Sequence, residues 1–447
     1  MGQKIDLMEK VVNLCKRRGF IFPGSEIYGG LANSYDYGHL GNELFNNIAS
    51  LWWKKFVQER EDMVGIRGPI IMNPKVWEAS GHISNFTDPL VECKICHERL
   101  RADKPEEMEA HAKEAHKGKT EWTEAKAFNL LFKTFIGATE EDEKAVAYLR
   151  GELAQTMFTD FKQILETSRK KLPFGVAQIG KAFRNEITTG NFIFRTKEFT
   201  IAELEYFVKP GTEDKHFKEW ADFMEKVLVE DFKLKKIKRY VHPKDSLAHY
   251  SKGTVDFHYE FPWGWDEVFG LSSRTDFDLK NHEQLSGKNI RYKDPETGEE
   301  LLPYVVEPTG GLDRLMLAVL LNSYEEIKGG RTTTTEAVKE EEIILRLPKA
   351  LAPIKIAVLP LSRKDELIKP AFEILHSLQK HWMCQFDETG SIGKRYRRQD
   401  EIGTPYCVTI DFDSLEDKKV TVRDRDTMQQ DRIAIDELVN YFKEKLP

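Results

Sequence analysis

The stretch 182–207, AFRNEITTGNFIFRTKEFTIAELEYF, has the pattern of two strands joined by a polar loop that contains a glycine. Side chains alternate between the two faces of a strand, so residues two apart share a face. Arg184 and Glu186 therefore share one face, as do Phe199 and Glu203 on the second strand. The segment predicts a β-hairpin with one core face and one face of arginines, carboxylates and an aromatic ring.

Two structures explain such a charged face. The first is a solvated sheet with cross-strand ion pairs, and the second is a ligand cleft built on rigid strands. Apolar helical segments flank the hairpin, Phe199 is a poor residue for a solvated face, and the loop adds Arg195, so the cleft is favoured. Arginines bind phosphates in bidentate fashion, carboxylates accept from a cation or an amine, and an aromatic ring stacks on a flat ligand.

The segment EPTGGLDRLMLAVL, residues 307–320, carries a further candidate arginine. Gly310 and Gly311 allow backbone to approach a ligand closely, and Arg314 lies in the first turn of a strongly apolar helix. Together with the hairpin, this segment predicts one ligand site built from both parts of the chain.

Length and composition limit the class of protein. The chain has 447 residues, more than a single hydrophobic core accommodates, which predicts two or three domains. Its hydrophobic content of 40% is typical of globular proteins. A net charge of -7 argues against a protein that coats nucleic acid through its overall electrostatic field. The basic runs 233–239 and 393–398 are either solvated faces or local RNA contacts. The five cysteines form no disulfide framework and the N-terminus has no signal-peptide pattern, which predicts a cytoplasmic protein. The sequence has no apolar run long enough to cross a membrane, so no membrane segment is expected.

Apolar periodicity predicts the order of elements in the first part of the chain. Helices are expected at 1–20, 38–60, 140–171 and 213–232, a strand at 62–74, aromatic strands within 253–280, and a strand, glycine turn and helix over 304–324. Residues 90–125 are polar and hold a cysteine pair, which predicts an insertion.

The C-terminal part differs from the rest in its pattern. Residues 325–350 combine Gly-Gly, a threonine run and a glutamate cluster, which predicts a connector. Beyond it the sequence predicts a separate α/β domain. The expected elements are the strand IKIAVLPL, the helix KDELIKPAFEILHSLQKH, the strands MCQFDE, PYCVTIDF and KVTVRDRD, and the closing helix IAIDELVNYFKEKL.

These motifs resemble the class II aminoacyl-tRNA synthetases. The hairpin is similar to motif 2, GGLDR with its apolar helix to motif 3, and the helix 38–60 with the following strand and Pro74 to motif 1, which lies at the dimer interface in that class. Segments such as YDYGHLGNELFNNI, FRTKEFTIAELEYF and VVEPTGGLDR resemble the homodimeric type of glycyl-tRNA synthetase over most of residues 20–320. The last part of the chain resembles the anticodon-binding domain of these enzymes.

The resemblance implies an α+β fold with two domains. Residues 1–345 are expected to form a class II catalytic domain, an antiparallel sheet flanked by helices, with the insertion at about 90–125 as a zinc knuckle. Residues 350–447 are expected to form an α/β anticodon-binding domain.

The implied function is glycine–tRNA ligation. The expected enzyme is a cytoplasmic homodimer that converts glycine and ATP into glycyl-adenylate with Mg²⁺ and transfers glycine to the 3′ end of tRNA(Gly). Two alternatives are an inactive, nucleic-acid-binding accessory subunit and diadenosine polyphosphate synthesis as a side activity. An accessory subunit would tend to lack the arginines of motifs 2 and 3, both of which are present, whereas the side activity would use the same residues.

The resemblance also implies which residues bind ATP. Arg184, Glu186 and Arg314 are the expected catalytic residues, with Arg184 on the α-phosphate, and Phe199 is expected to stack on adenine. Glu267 is expected to hold Mg²⁺. The full expected set is Arg184, Asn185, Glu186, Phe194, Arg195, Thr196, Lys197, Glu198, Phe199, Glu267, Val268, Gly311, Leu312, Asp313 and Arg314.

A second set is implied for glycine. Glu152, Glu203 and Glu307 are expected to hold the ammonium group and Arg101 the carboxylate, and Thr309 stands where relatives usually have serine. The full expected set is Arg101, Glu152, Phe199, Thr200, Ile201, Ala202, Glu203, Glu307, Pro308, Thr309, Gly310 and Gly311. Glu205 has no assigned role.

Within the insertion, Cys93, Cys96, His111 and His116 form the pattern C-x2-C-x14-H-x4-H. Four such ligands suit a closed tetrahedral zinc site. The alternative is a zinc-free insertion with solvated histidines, and His97 is a possible substitute ligand.

In the C-terminal domain the segment GSIGKRYRRQDEIGTPYCV is similar to the RNA-facing region of the family. Arg395, Arg397 and Arg398 are expected to meet phosphates, and Tyr396 is expected to stack on a base.

Overall fold

The structure, a computed structural model, describes residues 2–137, 145–247, 251–329, 331 and 341–446. No helix within these residues is both long enough and apolar enough to cross a bilayer. The N-terminal segment contains α1 (Gly2–Arg18), β1 (Ile21–Pro23), β2 (Tyr35–Tyr37), α2 (His39–Trp53) and β3 (Met63–Gly65).

The predicted helix 38–60 is confirmed, because α2 continues through one π-helical turn, Lys54–Gln58. The predicted strand 62–74 is wrong beyond β3. Ile66 N–H still donates to Ala177 O of β9, and Ile71 forms an isolated bridge with Leu149, but no continuous strand pairing joins them. Between them Gly68 N–H donates to the side chain of Gln178, and Gly68 O accepts from Arg150. Pro74 begins the next helix.

The following segment holds the insertion. Its elements are α3 (Pro74–Ala79), α4 (His82–Asn85), β4 (Thr87–Glu92), β5 (Arg99–Arg101), α5 (Pro105–His116), β6 (Lys126–Asn129), β7 (Lys133–Phe135) and β8 (Val146–Tyr148). The three strands β5, β4 and β6 form a small antiparallel sheet in that order, which confirms a locally distinct unit at 90–125.

The catalytic-type motifs fall in the next segment. Its elements are α6 (Ala154–Thr159), α7 (Phe161–Ser168), β9 (Phe174–Phe183), β10 (Glu198–Val208), α8 (Glu213–Lys226), β11 (Ile237–Val241), β12 (Gly253–Phe261), β13 (Gly264–Thr275), α9 (Phe277–Ser286), β14 (Tyr292–Lys293), β15 (Glu300–Leu301), β16 (Tyr304–Gly311), α10 (Leu312–Ser323) and β17 (Tyr324–Lys328).

The predicted helix over 140–171 is wrong in its first part. Residues 138–144 lie outside the described residues, and Val146–Tyr148 is β8, which pairs with β7. Among the described residues from 146 to 171, only α6 and α7 are helical. The opening hairpin is confirmed, because β9 and β10 pair antiparallel from Phe174↔Phe207 to Phe183↔Glu198.

A seven-stranded sheet of order β11-β12-β13-β16-β10-β9-β3 is the centre of this part of the fold. Its neighbours pair antiparallel except β9 and β3, which are parallel. Ala202, Leu204 and Tyr206 of β10 pack in one core cluster with residues of α2, α8 and α10. On the other face Phe207 packs with α6 and α7, so helices cover both faces.

The remaining elements are β18 (Glu341–Leu345), β19 (Ile356–Pro360), α11 (Asp365–Leu378), β20 (Cys384–Phe386), α12 (Ile392–Ile402), β21 (Tyr406–Ile410), α13 (Asp413–Asp417), β22 (Lys419–Asp424), β23 (Gln430–Ala434) and α14 (Leu438–Lys445). All of these strands except β18 form a five-stranded mixed sheet of order β20-β19-β21-β22-β23, in which β23 was not predicted. The predicted connector contains a regular pair, since β17 and β18 are antiparallel.

Two ion-pair groups join this sheet unit to the rest of the chain. Arg18 of α1 pairs with Glu401 of α12. Arg331 donates to Asp400 at 2.6 Å and to Glu342 at 3.3 Å, and these carboxylates are almost fully buried. Buried charges of this kind fix one arrangement of the packed elements, because separation leaves them unpaired.

Candidate active site

One cleft collects most of the predicted ATP residues. It lies between the ends of β9, β10, β13 and β16 and has a volume of about 110 Å³. All of its lining residues except Ile193 were predicted from the sequence. The lining residues are Arg184, Glu186, Ile193, Phe194, Arg195, Thr196, Phe199, Ile201, Glu203, Glu267, Thr309, Gly311, Asp313 and Arg314.

Arg184 is positioned where β9 ends. Its backbone N–H donates to Lys197 O, and its Nε donates to Gly151 O at 3.0 Å. The guanidinium carbon lies 5.2 Å from the ring centroid of Phe86 and 5.4 Å from that of Phe199, within the range of cation–π attraction. Arg184 and Phe199 thus form adjacent parts of one wall.

Arg314 forms the opposite side of the cleft. It lies in the first turn of α10, directly after the glycine pair, and its Nη1 donates to Glu267 Oε2 at 2.8 Å. Its guanidinium carbon is 4.5 Å from the Phe194 ring centroid. Burial acts to raise the pKa of Glu267, but Arg314 outweighs it and the pKa is lowered, so this carboxylate is ionised.

Asp313 has a structural position beside the cleft. Its carboxylate accepts hydrogen bonds from the Tyr37 hydroxyl and from the Thr200 backbone N–H. Burial raises its pKa. Asp313 also lines a neighbouring cavity of about 640 Å³, which is walled by residues 31–37 and by the loop between β9 and β10. The predicted residues Lys197, at the end of this loop, and Glu198, the first residue of β10, also line the cavity.

A group of buried carboxylates continues from Glu203 into the protein. Glu203 accepts a hydrogen bond from Leu153 N–H, next to Glu152. Arg274 joins the other members of the group, because it donates to Glu307 at 2.9 Å and to Asp278 at 2.8 Å. Its distance to Glu152 is 3.5 Å.

This crowding shifts the pKa values of the acids. Burial, together with Glu152 and Glu307, raises the pKa of Glu203 to about 8. Burial raises the pKa of Glu307 to about 7, although Arg274 acts against it. Burial alone would also raise the pKa of Glu152, but His82 and Arg274 lower it below its usual range. Near neutral pH, therefore, Glu152 is ionised while Glu203 and Glu307 hold protons for part of the time.

The remaining predicted residues do not line the cleft. Thr200 and Ala202 point to the opposite face of β10, as the strand alternation requires. Val268 and Leu312 are core residues, 1% and 0% exposed. Asn185, Pro308 and Gly310 lie next in sequence to lining residues, and Glu152 and Glu307 lie behind Glu203.

Arg101 also lies outside the cleft lining. Its guanidinium pairs with Asp88 at 2.8 Å and with Asp103 at 2.7 Å. It interacts electrostatically with Glu186 of the cleft. The strand β5 of the insertion thus carries Arg101 toward the site.

Sequence reasoning did not identify the residues that hold the buried acids. Arg274 is 1% exposed, Gln155 donates to Glu152 at 2.8 Å and to Asp278 at 2.9 Å, and the His82 ring lies 3.3 Å from Glu152.

The predicted metal ligands come together. Cys93, Cys96, His111 and His116 each offer one ligand atom, and these atoms all lie within 4.8 Å of one another. β4 and the turn after it place the cysteines, and α5 places both histidines near its C-terminal end. His97 points elsewhere, toward Glu92 at 2.9 Å.

The predicted RNA contacts of α12 are mostly engaged inside the protein. Arg395 is 2% exposed and donates to the carbonyl groups of Pro360, Asp387 and Leu361. Tyr396 shares a hydrogen bond with the Thr409 hydroxyl, and Arg398 pairs with Asp387. Arg395 and Tyr396 are therefore structural residues, which corrects that expectation.

The chain is similar to known proteins over almost its whole length. A family model described as an anticodon binding domain matches residues 355–445. The glycine–tRNA ligase of Caldanaerobacter subterraneus subsp. tengcongensis is 50% identical, and that of Acetivibrio thermocellus is 51% identical, each over 98% of both chains. The prolyl-tRNA synthetase of Cryptosporidium parvum, solved with L-proline and AMP, has a TM-score of 0.63 at 13% identity and covers 97% of this chain and 77% of its own. That likeness shows a class II synthetase fold.

Proposed function

Because this chain belongs to the family of the glycine–tRNA ligases, we propose that the cleft around Arg184 activates glycine with ATP. The protein is an aminoacyl-tRNA ligase, and the reaction has two steps. A carboxylate oxygen of glycine attacks the α-phosphorus of ATP, and the bond to pyrophosphate breaks. A ribose hydroxyl of the terminal tRNA adenosine then attacks the glycyl carbonyl carbon, and AMP leaves.

The observation that carries this assignment is the convergence of three arginines on one small cleft. Arg184, Arg195 and Arg314 line it together, with Phe199 and Glu186 between them. Phosphoryl displacement needs positioning and neutralisation of charge more than covalent help. Arg184 stabilises the α-phosphate, where negative charge develops in the transition state, and the other two arginines bind the outer phosphates.

The adenine base binds beside these arginines. Phe199 is half-buried at the cleft wall, so its ring offers a face for stacking. Arg314 covers the other face of the base, and Glu186 accepts a hydrogen bond from the amino group of adenine. Lys197, at the end of the loop between β9 and β10, and Glu198, the first residue of β10, border the larger adjoining cavity.

Glycine binds at the end of the cleft that Glu203 closes. Glu203, Glu307 and Glu152 form an acidic group that attracts the substrate ammonium, and Ile201 with Thr309 leaves little room for a side chain. A pocket cannot grip a side chain that is absent, so it must select glycine by excluding larger amino acids. Arg101, which lies on β5 of the insertion, attracts the carboxylate of the substrate glycine.

Magnesium and zinc fit different parts of the chain. The Glu267 carboxylate lines the cleft near the arginines, and Mg²⁺ prefers few protein oxygens plus phosphate oxygens, so Glu267 would hold Mg²⁺ with ATP. Mg²⁺ neutralises phosphate charge when it is bound. The cluster of Cys93, Cys96, His111 and His116 has the donor set of a structural zinc site, and its atoms lie close enough for one ion.

Membership of the family supports a proposal for the domains and the assembly of the protein. Residues 1–345 act as the catalytic domain and residues 350–447 as the anticodon-binding domain, in line with the family match at 355–445. The substrate RNA is tRNA(Gly), and the enzyme works as a homodimer in the cytoplasm. α2 and β3, which resemble motif 1, contribute the dimer contact.

Exchange of pyrophosphate into ATP tests the first step directly. Glycine should support exchange and alanine should not, because Ile201 and Thr309 restrict the pocket. The substitution Arg184→Ala should lower the exchange rate about 10²–10³-fold, the range for loss of one group that stabilises transition-state charge. The matched control is Arg291→Ala, which removes a guanidinium from an exposed ion pair with Glu283.

Circular dichroism and a thermal melt should be unchanged in both variants. Exchange by Arg184→Ala within about threefold of the control would contradict the role of Arg184. Exchange driven by alanine rather than glycine would contradict the pocket assignment.

A further inference from the structure

Glu205 is a buried acid that the proposed site does not use. It follows Glu203 by two residues on β10, so both side chains lie on the same face of the strand. Glu205 is 0% exposed, and neither carboxylate oxygen accepts a hydrogen bond from a donor among the described residues. A buried carboxylate without partners is costly as an anion, so this side chain requires a physical explanation.

The strand register places Glu205 beside another acid. On β10 and β16, Glu203 pairs with Thr309 and Tyr206 pairs with Val306, so Glu205 lies opposite Glu307. Directly opposite side chains in an antiparallel pair have Cβ atoms about 4.5–5.5 Å apart, and like charges there are destabilising. Two ionised glutamates would therefore repel each other at this position.

The charge of Arg274 does not neutralise the acids around Glu205 if both Glu205 and Glu307 are ionised. Glu203 faces it from β10, Glu307 from β16, Asp278 from α9 and Arg274 from β13. Arg274 already donates to Asp278 and Glu307. On its other side Glu205 pairs with Val176 of β9, which belongs to the apolar core. Burial, with the neighbouring acids, raises the pKa of Glu205 well above its usual range.

We propose that Glu205 is a positioning residue for glycine: it carries a proton and donates it as a hydrogen bond to the Glu307 carboxylate across the strand pair. This inference rests on the proposed role of Glu203 and Glu307 in binding the ammonium group. A protonated carboxyl is a donor as well as an acceptor, so it holds Glu307 in place without adding a negative charge. Glu205 itself does not touch the substrate.

The proposal distinguishes a neutral donor from a charge. In Glu205→Gln the amide is neutral and keeps N–H donors at nearly the same place. In Glu205→Met the side chain keeps its length but loses the donor. If Glu205 positions Glu307 through a donated hydrogen bond, glutamine preserves glycine binding and methionine does not.

The experiment measures KM for glycine and for ATP by pyrophosphate exchange in both variants, alongside Glu203→Gln. Glu205→Gln should keep the glycine KM within about threefold of wild type, whereas Glu205→Met should raise it about tenfold or more, since a hydrogen bond to an ionised group is lost. The ATP KM should change in neither. A purely structural role would lower the thermal midpoint without this split between the two substrates.

Two results would overturn the proposal. An equal rise in glycine KM for Glu205→Gln and Glu205→Met would show that the charge of Glu205 is needed, and an unchanged glycine KM in both would show that it positions nothing. If Glu205→Met does not fold, Glu205→Gln alone still shows whether the charge of Glu205 is needed for glycine binding. Glu203→Gln should raise the glycine KM, and failure there would reject the ammonium site instead.

Discussion

Arg274→Met tests the buried charge group most severely. Arg274 is 1% exposed and holds Glu307 at 2.9 Å, Asp278 at 2.8 Å and Glu152 at 3.5 Å. Methionine is unbranched and adaptable, so it fills much of the space that the arginine side chain occupies next to Phe158, although it loses the cation–π contact of 5.4 Å with that ring. The substitution therefore removes the charge and leaves the side-chain volume largely filled.

The structure sets the expected size and its dependence on pH. Removing one partner of a buried ion pair costs about 3–5 kcal/mol, because the other charge stays buried and unpaired. Without the guanidinium, burial raises the pKa of Glu307 further and Arg274 no longer lowers the pKa of Glu152, so Glu307 in the folded variant binds its proton more tightly than in the unfolded chain. The variant's free energy of unfolding then falls as pH rises. The deficit relative to wild type should be about 3–5 kcal/mol near pH 8 and clearly smaller at lower pH, where Glu307 is neutral.

Urea denaturation at several pH values between about 5.5 and 8 measures this deficit. Arg291→Met is the control, since it removes the same group from a solvent-exposed pair with Glu283 and should move the transition little at any pH. A deficit for Arg274→Met that does not change with pH, or that equals the control, would refute the reasoning.

Two more predictions concern proton and metal binding. Glu203 and Glu307 have raised pKa values of about 8 and 7, so both are partly protonated at neutral pH, whereas the glycine ammonium favours their ionised forms. Glycine binding should release protons and its KM should fall as pH rises through this range. Calorimetry in buffers of different ionisation enthalpy checks this, and heats independent of buffer would contradict it. Metal analysis should find about one zinc per chain, lost in Cys96→Ser but kept in Cys384→Ser, because Cys384 lies outside the cluster; equal zinc in both would exclude the site.

Much of the site was predictable because its residues stand in short local patterns. The hairpin and the glycine turn each place charged residues at fixed spacing, and strand alternation alone assigns Phe199 and Glu203 to one face. Glu205 shares that face, yet no local pattern assigns it a role. Its proposed role depends on Glu307, which lies about a hundred residues further along the chain.

The missed residues follow the same rule. Arg274 acquires its partners only when β13, β16 and α9 pack together, and no spacing in one segment predicts that meeting. The strand Val146–Tyr148 was assigned to a helix because a short apolar run suits either structure, and its partner Lys133–Phe135 decided the outcome. Arg395 was assigned to RNA because a basic run does not reveal which face of its helix is buried.

The strand order of the large sheet also sets an order of assembly. β16 lies between β13 and β10 at the centre of the sheet, yet it is the last of the seven strands along the chain. Synthesis proceeds from the N-terminus, so the facing edges of β10 and β13 stay unpaired until β16 leaves the ribosome. A nascent chain whose residue Glu307 has not yet left the ribosome therefore lacks both the middle of its sheet and one acid of its substrate site.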